Sequence, residues 1–307
     1  MMKTYIFCRD FWFGKTKQSE SISLILDIPK RKFKNITDIK SYKNIINSNI
    51  IFIAELPEKF GITLSKEFLE KNNIFFYYHL EMSIMNELRN KKYKDWKYLL
   101  LFESPDINRY LMEELNYEVI KLKFYLSLSE QVDFQTKRLG YWNKINLYNI
   151  ETINKIIKNL NITEFYLYDY PNGGYSYLED NFVDKIECNK KQYLKVTKDS
   201  SSYHKYRNFI DNCNIYLMPR LVESCGVSNL EQMSRGCLML GMNYPSMSNY
   251  IIHNKTGFLF DDNFSNINEL KNIDVITCSE NIRTECFYGK LKFKKDFNKF
   301  IKNHFIK

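Results

Sequence analysis

Ile215-Tyr216-Leu217-Met218-Pro219-Arg220-Leu221-Val222-Glu223-Ser224-Cys225-Gly226-Val227-Ser228-Asn229-Leu230-Glu231-Gln232-Met233-Ser234-Arg235-Gly236 is the stretch on which the fold turns. Its first four residues are a continuous apolar run closed by Pro219, the pattern of a strand buried on both faces. A loop then presents Glu223, and from Val227 the apolar spacing becomes helical. A helix that begins there has unpaired backbone amides at its positive end, which attract phosphate. Glu223 on the loop and Glu231 in the helix stand eight positions apart, and carboxylates suit hydroxyl-rich ligands. A ligand that wants both is a nucleoside diphosphate sugar.

The same alternation extends in both directions. Upstream, Thr4–Cys8, Ser23–Ile28, Asn49–Ala54, Ile74–His79, Tyr98–Glu103 and Glu118–Phe124 read as strands, and Ser65–Lys71, Leu80–Asn90 and Ile107–Leu115 as helices. A polar stretch, Ser127–Lys137, reads as a linker. Strands are then expected at Arg138–Trp142, Glu164–Asp169, Ile215–Met218, Cys237–Met242, Gly257–Phe260 and Asp274–Cys278. Helices are expected near Glu151–Asn159, Tyr203–Asn212, Val227–Ser234 and Ser246–His253, with a turn at Asn172-Gly173-Gly174. Apolar strands interleaved with helices indicate parallel sheets covered on both faces. The expectation is α/β, two Rossmann-like domains facing a cleft, with ligands at the carboxyl ends of the strands. The domains would be 1–130 and 131–289, followed by a basic helix over 290–307. In that helix Phe293, Phe297, Phe300, Ile301 and His304 mark one face. Either it packs across the domains or it lies on anionic lipid.

Composition narrows the partners. The 307 residues include 23 Tyr and 23 Phe and are 44% hydrophobic, enough for two cores. A net charge of +9 favours nucleotides, nucleic acid or a phospholipid surface. No apolar run is long enough to span a bilayer, and Arg9 and Asp10 interrupt the amino-terminal stretch where a signal peptide would be apolar. A cytoplasmic location follows as the expectation, with peripheral contact at the inner membrane face. The seven cysteines form no CxxC pair, so neither a metal site nor a disulfide framework is expected.

Arg138-Leu139-Gly140-Tyr141-Trp142-Asn143-Lys144 supplies a second element, an Arg and a Lys six residues apart and both suited to a diphosphate. With these residues in view, the carboxyl-terminal half resembles the donor-binding domain of retaining GT-B glycosyltransferases of family 4 type. The resemblance rests on Arg-x5-Lys at Arg138 and Lys144, then Asp169 and Pro171 as a remnant of a Gly-Asp-Gly-Pro turn. It continues with the Glu-x7-Glu spacing of Glu223 and Glu231, and with Thr256-Gly257-Phe258-Leu259-Phe260.

The resemblance implies a transferase that uses a nucleoside diphosphate sugar and no metal or other cofactor. It implies that Glu223 orients the donor sugar and that backbone amides of Cys225, Gly226 and Val227 hold phosphate. Glu231 would bind the ribose, and Arg138 with Lys144 would neutralise the leaving diphosphate. His79, at the end of an apolar strand, occupies the place of a histidine near the reacting sugar. The amino-terminal half departs from the pattern: Asp10–Ser19 has one glycine, Gly14, beside Lys15 and Lys17. The acceptor is then a glycan or a lipid-linked precursor. Two alternatives stand beside this reading: glycosylation of DNA bases, as in phage enzymes of this architecture, and a non-catalytic protein that binds nucleotide sugar or phosphate.

Overall fold

The computed structural model describes residues 3–7, 45–53, 64–78, 98–102, 119–171, 175–196, 208–209, 211–221, 226–244 and 248–305. Two compact units emerge, one of residues 1–126 with 288–307, the other of residues 127–287.

In the first unit five strands, β1 (Lys3–Phe7), β2 (Ser48–Ile53), β3 (Asn73–Tyr78), β4 (Tyr98–Phe102) and β5 (Val119–Leu122), pair in that order. Every pairing is parallel, as continuous apolar strands dictate. Helix α1 (Lys66–Lys71) starts where the Ser65 hydroxyl accepts the Phe68 amide. It stops at Asn72, whose buried amide group takes the Ser48 N–H and donates to the carbonyls of Ile45 and Phe68. The readings at Ser23–Ile28, Leu80–Asn90 and Ile107–Leu115 lie outside the described residues.

The second unit holds six parallel strands: β6 (Arg138–Asn143), β7 (Glu164–Asp169), β8 (Lys190–Lys195), β9 (Ile215–Leu217), β10 (Leu238–Met242) and β11 (Gly257–Phe260). Their order is β11-β10-β9-β6-β7-β8. The chain starts in the middle, builds outward through β7 and β8, then returns to β9 on the other side of β6. This is the doubly wound Rossmann order, and its switch point falls between β6 and β9. Its core is apolar: Leu139, Tyr141, Phe165, Ile215, Leu217, Leu238, Leu240, Phe258 and Phe260 are all buried.

Helices α2 (Ile150–Leu160) and α3 (Val227–Arg235) flank this sheet within the second unit. Asn149 caps α2 by accepting the Thr152 amide, and Asn161 ends it in the left-handed conformation that asparagine tolerates. Gly236 ends α3 at φ +81°, its N–H returning to Gln232 and Met233. The stretch read as a linker has neither helix nor strand, yet it is pinned. Ser129 and Val132 donate their amides to the carbonyls of Ser234 and Arg235, and the Arg283 guanidinium reaches the carbonyls of Ser129 and Ser234. The orphan carbonyls of the α3 carboxyl end are thereby satisfied.

Two readings are corrected. Asp274–Cys278 is not a strand but the start of α4 (Val275–Phe305), because the Asp274 carboxyl group accepts the amides of Ile276 and Thr277 and caps a helix. Of Ser246–His253, residue 248 is helical and 249–250 turn; the chain then bends at Asn254 (φ 59°), where Thr256 takes the Ile252 amide, and His253 bridges to Gly257. Strand β8 was unforeseen. It is an exposed edge strand, and lysines at 190, 191 and 195 guard it against pairing with another chain. Of Tyr203–Asn212, residues 208, 209, 211 and 212 are helical and the others lie outside the described residues.

Helix α4 is longer than the 290–307 expected. Its first half belongs to the second unit and its second half to the first. Phe293, Phe297 and Phe300, the face offered to lipid or to packing, are buried, with the Phe124 ring edge-on to Phe293 at 5.3 Å. Packing has claimed that face. Ile301 and His304 have no described side chains.

Candidate active site

Ligands in doubly wound sheets bind where strand order reverses, outside the carboxyl ends. Here that end is formed by Asn143, the last residue of β6, and by Met218 and Pro219 after β9. Tyr141 pairs with Leu217 in register, so the two strands leave the sheet side by side.

The loop from β6 to α2 is held there by three side chains. The Asn143 amide oxygen accepts the Asn146 N–H at 3.0 Å and the Tyr141 hydroxyl at 3.3 Å. Its amide nitrogen donates to Asp169 at 2.8 Å. Asp169, fully buried at the end of β7, also accepts the Leu178 amide and the Tyr193 hydroxyl, each at 3.1 Å. Asn143, Asp169 and Tyr193 thus form a polar line across β6, β7 and β8. The third contact crosses the switch point: the Tyr148 hydroxyl donates to the Met218 carbonyl at 3.1 Å. Burial, and then Tyr141, push the Tyr148 hydroxyl far above its usual pKa, so it remains a donor.

Lys144 lies at this end and is buried, with its ammonium 3.8 Å from the centroid of the Trp142 ring. The Trp142 indole is itself anchored by its N–H to the Tyr170 carbonyl at 3.3 Å. Arg138 is elsewhere. It is the first residue of β6, so about 17 Å of strand separates it from Asn143 at 3.3 Å per residue. Its guanidinium pairs with Asp133 at 3.3 Å, and its amide donates to the Asn214 side chain at 2.8 Å. Arg138 and Lys144 therefore do not converge on one diphosphate. Arg138 braces the amino-terminal edge of the sheet.

Gly226 is the N-cap of α3 at φ +48°, ψ 58°. A Cβ there would be strained by the left-handed backbone and would lie 2.7 Å from the Asn229 amide nitrogen, which would have to shift. The Gly226 carbonyl takes the amides of Asn229 and Leu230 and so starts the helix. Glu231 is buried in the second turn. Val227 is the first helical residue, and its side chain is not described. Glu223, Cys225 and His79 lie outside the described residues. Sequence reasoning missed Asn143 and Tyr148. Their signal was position alone, a polar residue ending an apolar strand and an aromatic one residue before a helix cap.

Residues 179–273 match the family Glycosyl transferases group 1. Among solved structures the chain is similar to TarM of S. aureus, with 13% identity and a TM-score of 0.59, over 90% of this chain and 60% of that one. It is also similar to Anabaena HepE in complex with UDP and glucose, with 12% identity and a TM-score of 0.55, over 99% and 100% of the two chains. A third likeness is the apo form of the lipopolysaccharide outer core galactosyltransferase WaaB, with 13% identity and a TM-score of 0.58, over 99% of each chain. The chain spans about 60% of the length of TarM. No curated protein sequence matches it significantly.

Two parallel sheets, one in each unit, and these likenesses define the GT-B fold. The stretch that matches the glycosyl transferases group 1 family, residues 179–273, contains β8 to β11 and α3.

Proposed function

We propose that the chain moves a sugar from a nucleoside diphosphate sugar to a glycan or lipid-linked acceptor, with retention at the anomeric carbon. The observation that carries this reading is the group 1 match on a sheet whose switch point has Lys144 on one side and the amino end of α3 on the other. The likeness to a structure holding UDP and glucose supports the donor class.

In this reading residues 131–289 hold the donor and 1–130 the acceptor side. The diphosphate lies against the first amides of α3, at Cys225, Gly226 and Val227, with Lys144 as its cation. Negative charge grows on the diphosphate as the glycosidic bond breaks, so donors already fixed toward it lower the barrier. Glu231 takes the ribose hydroxyls, Glu223 orients the sugar, and His79 stands near the reacting carbon. Arg138 has no part in binding.

Thermal shift with UDP, and with the other nucleoside diphosphates beside it, tests this. A ligand at 100 times its Kd adds about 2.7 kcal/mol, a shift on the order of 5 °C or more for a domain of this size. Glu231→Ala should abolish the shift. No shift from any nucleoside diphosphate would overturn the reading.

A further inference from the structure

The face of α4 expected to meet lipid is packed, yet another face of the same helix is exposed and apolar. Phe287, Tyr288 and Leu291 are 50%, 64% and 52% exposed. At 100° per residue, Phe287 and Leu291 share one stripe and Tyr288 borders it. Isolated exposed apolar side chains are ordinary, but three large ones at i, i+1 and i+4 form a patch.

Charge identifies what such a patch meets. Lys294 and Lys295, one turn beyond Leu291, are exposed on the same side, and Lys292 and Lys299 are exposed beside them. From 288 to 302 the sequence has lysines at 290, 292, 294, 295, 299 and 302 against one acid, Asp296. Glu280 is exposed on this side two turns before Phe287, and Glu285 is half-buried. The acids thus precede the patch, and the lysines follow it.

A protein partner for this surface would need a matching acidic groove. An anionic bilayer offers both chemistries in one plane, with acyl chains for Phe287 and Leu291, the interfacial layer for Tyr288 and phosphates for the lysines. We propose that α4 docks the chain on anionic phospholipid through Phe287, Tyr288 and Leu291, with Lys292, Lys294, Lys295 and Lys299 as the electrostatic clamp. This proposal does not depend on the reading given above. Together they have a simple logic: a lipid-linked acceptor would be met at its own surface.

The experiment is co-sedimentation of the full chain with vesicles of phosphatidylcholine alone and with about one-third phosphatidylglycerol. Binding is expected only to the anionic vesicles and should fall steeply as salt is raised. Lys294→Glu with Lys295→Glu should weaken it about 30-fold or more, at roughly 1 kcal/mol per removed lysine and further repulsion from each added acid. Leu291→Ser should weaken binding at every salt concentration while the melting temperature stays put, since the side chain is half exposed. Equal binding by these variants, or no binding by the parent chain, would overturn the proposal. So would a dimer in solution that Leu291→Ser dissolves, because the patch would then belong to a second copy. Tight duplex DNA binding lost in the lysine variant, with vesicle binding intact, would reassign the lysines and overturn it too.

Discussion

The hydroxyl of Tyr148 donates to the carbonyl oxygen of Met218 at 3.1 Å, both residues being buried. One hydrogen bond ties the loop after β6 to the end of β9, the two strands that flank the switch point. Met218 also donates its own amide to the Leu240 carbonyl, so the tie extends to β10. Tyr148→Phe keeps the ring against Tyr141 and Phe260 and removes only this bond. Loss of one buried hydrogen bond costs about 1–3 kcal/mol. A urea titration should show that loss without a change in slope, and calorimetry should show weaker UDP binding from a freer loop.

Lys144→Ala and Arg138→Ala separate the two ends of β6. The first should weaken UDP binding at least about tenfold, the scale of one charge-assisted contact. The second should leave UDP affinity within error and lower stability, because Asp133 and the buried edge lose their cation. Equal losses of affinity in the two variants would contradict the opposite placement of these residues.

Gly226→Ala forces a side chain into a left-handed backbone and against Asn229. The conformational cost alone is about 1–2 kcal/mol. Because the strain falls on the first turn of α3, nucleotide affinity should drop more than stability does. Titration calorimetry and thermal melts on one sample resolve the two.

Glu164 is held below its usual pKa of 4.5, first by the Tyr166 hydroxyl and then by Lys190, whose ammonium is 2.9 Å away. Its folded pKa is lower than its unfolded one. The stabilisation is therefore complete above the unfolded value and disappears as pH falls through the folded value. Glu164→Gln should be less stable than the parent chain at pH 7, and the difference should vanish once the pH has fallen through the folded value and the parent carboxylate is neutral as well. Urea midpoints measured against pH should converge in acid.

Phe293→Ala should destabilise the first unit by about 3–5 kcal/mol, the range for a buried phenylalanine. Phe293 is buried, with its ring against Phe124 and Phe297.

Much of this architecture could be read from residue order. The strands of the second unit other than β8 were found to within a residue because buried parallel strands are continuous apolar runs. Strand β8 escaped because an edge strand rich in lysine has no such run. Asp274–Cys278 misled because Val275, Ile276 and Thr277 are β-branched, while the deciding contact is a cap made by Asp274. The pairing of Arg138 with Lys144 came from spacing in a motif. The strand assigned to Arg138–Trp142 already implied that the extended chain separates the two, since six residues in a strand span far more than a diphosphate. Which lysine faces a ligand depends on strand direction and switch point, which are properties of the sheet and not of the segment.

Helix α4 sets an order of events in synthesis. The Phe124 and Tyr125 side chains of the first unit pack on Phe293 and Gly289, which follow them by more than 160 residues. A ribosome adding about 5–20 residues per second would need on the order of 10–30 s to bridge that interval. Throughout it the first sheet has left the tunnel without its closing helix, while the second unit, contiguous in sequence, can complete itself. The first unit is thus begun before the second and sealed after it. A nascent-chain truncation series should show protease resistance in the second unit first.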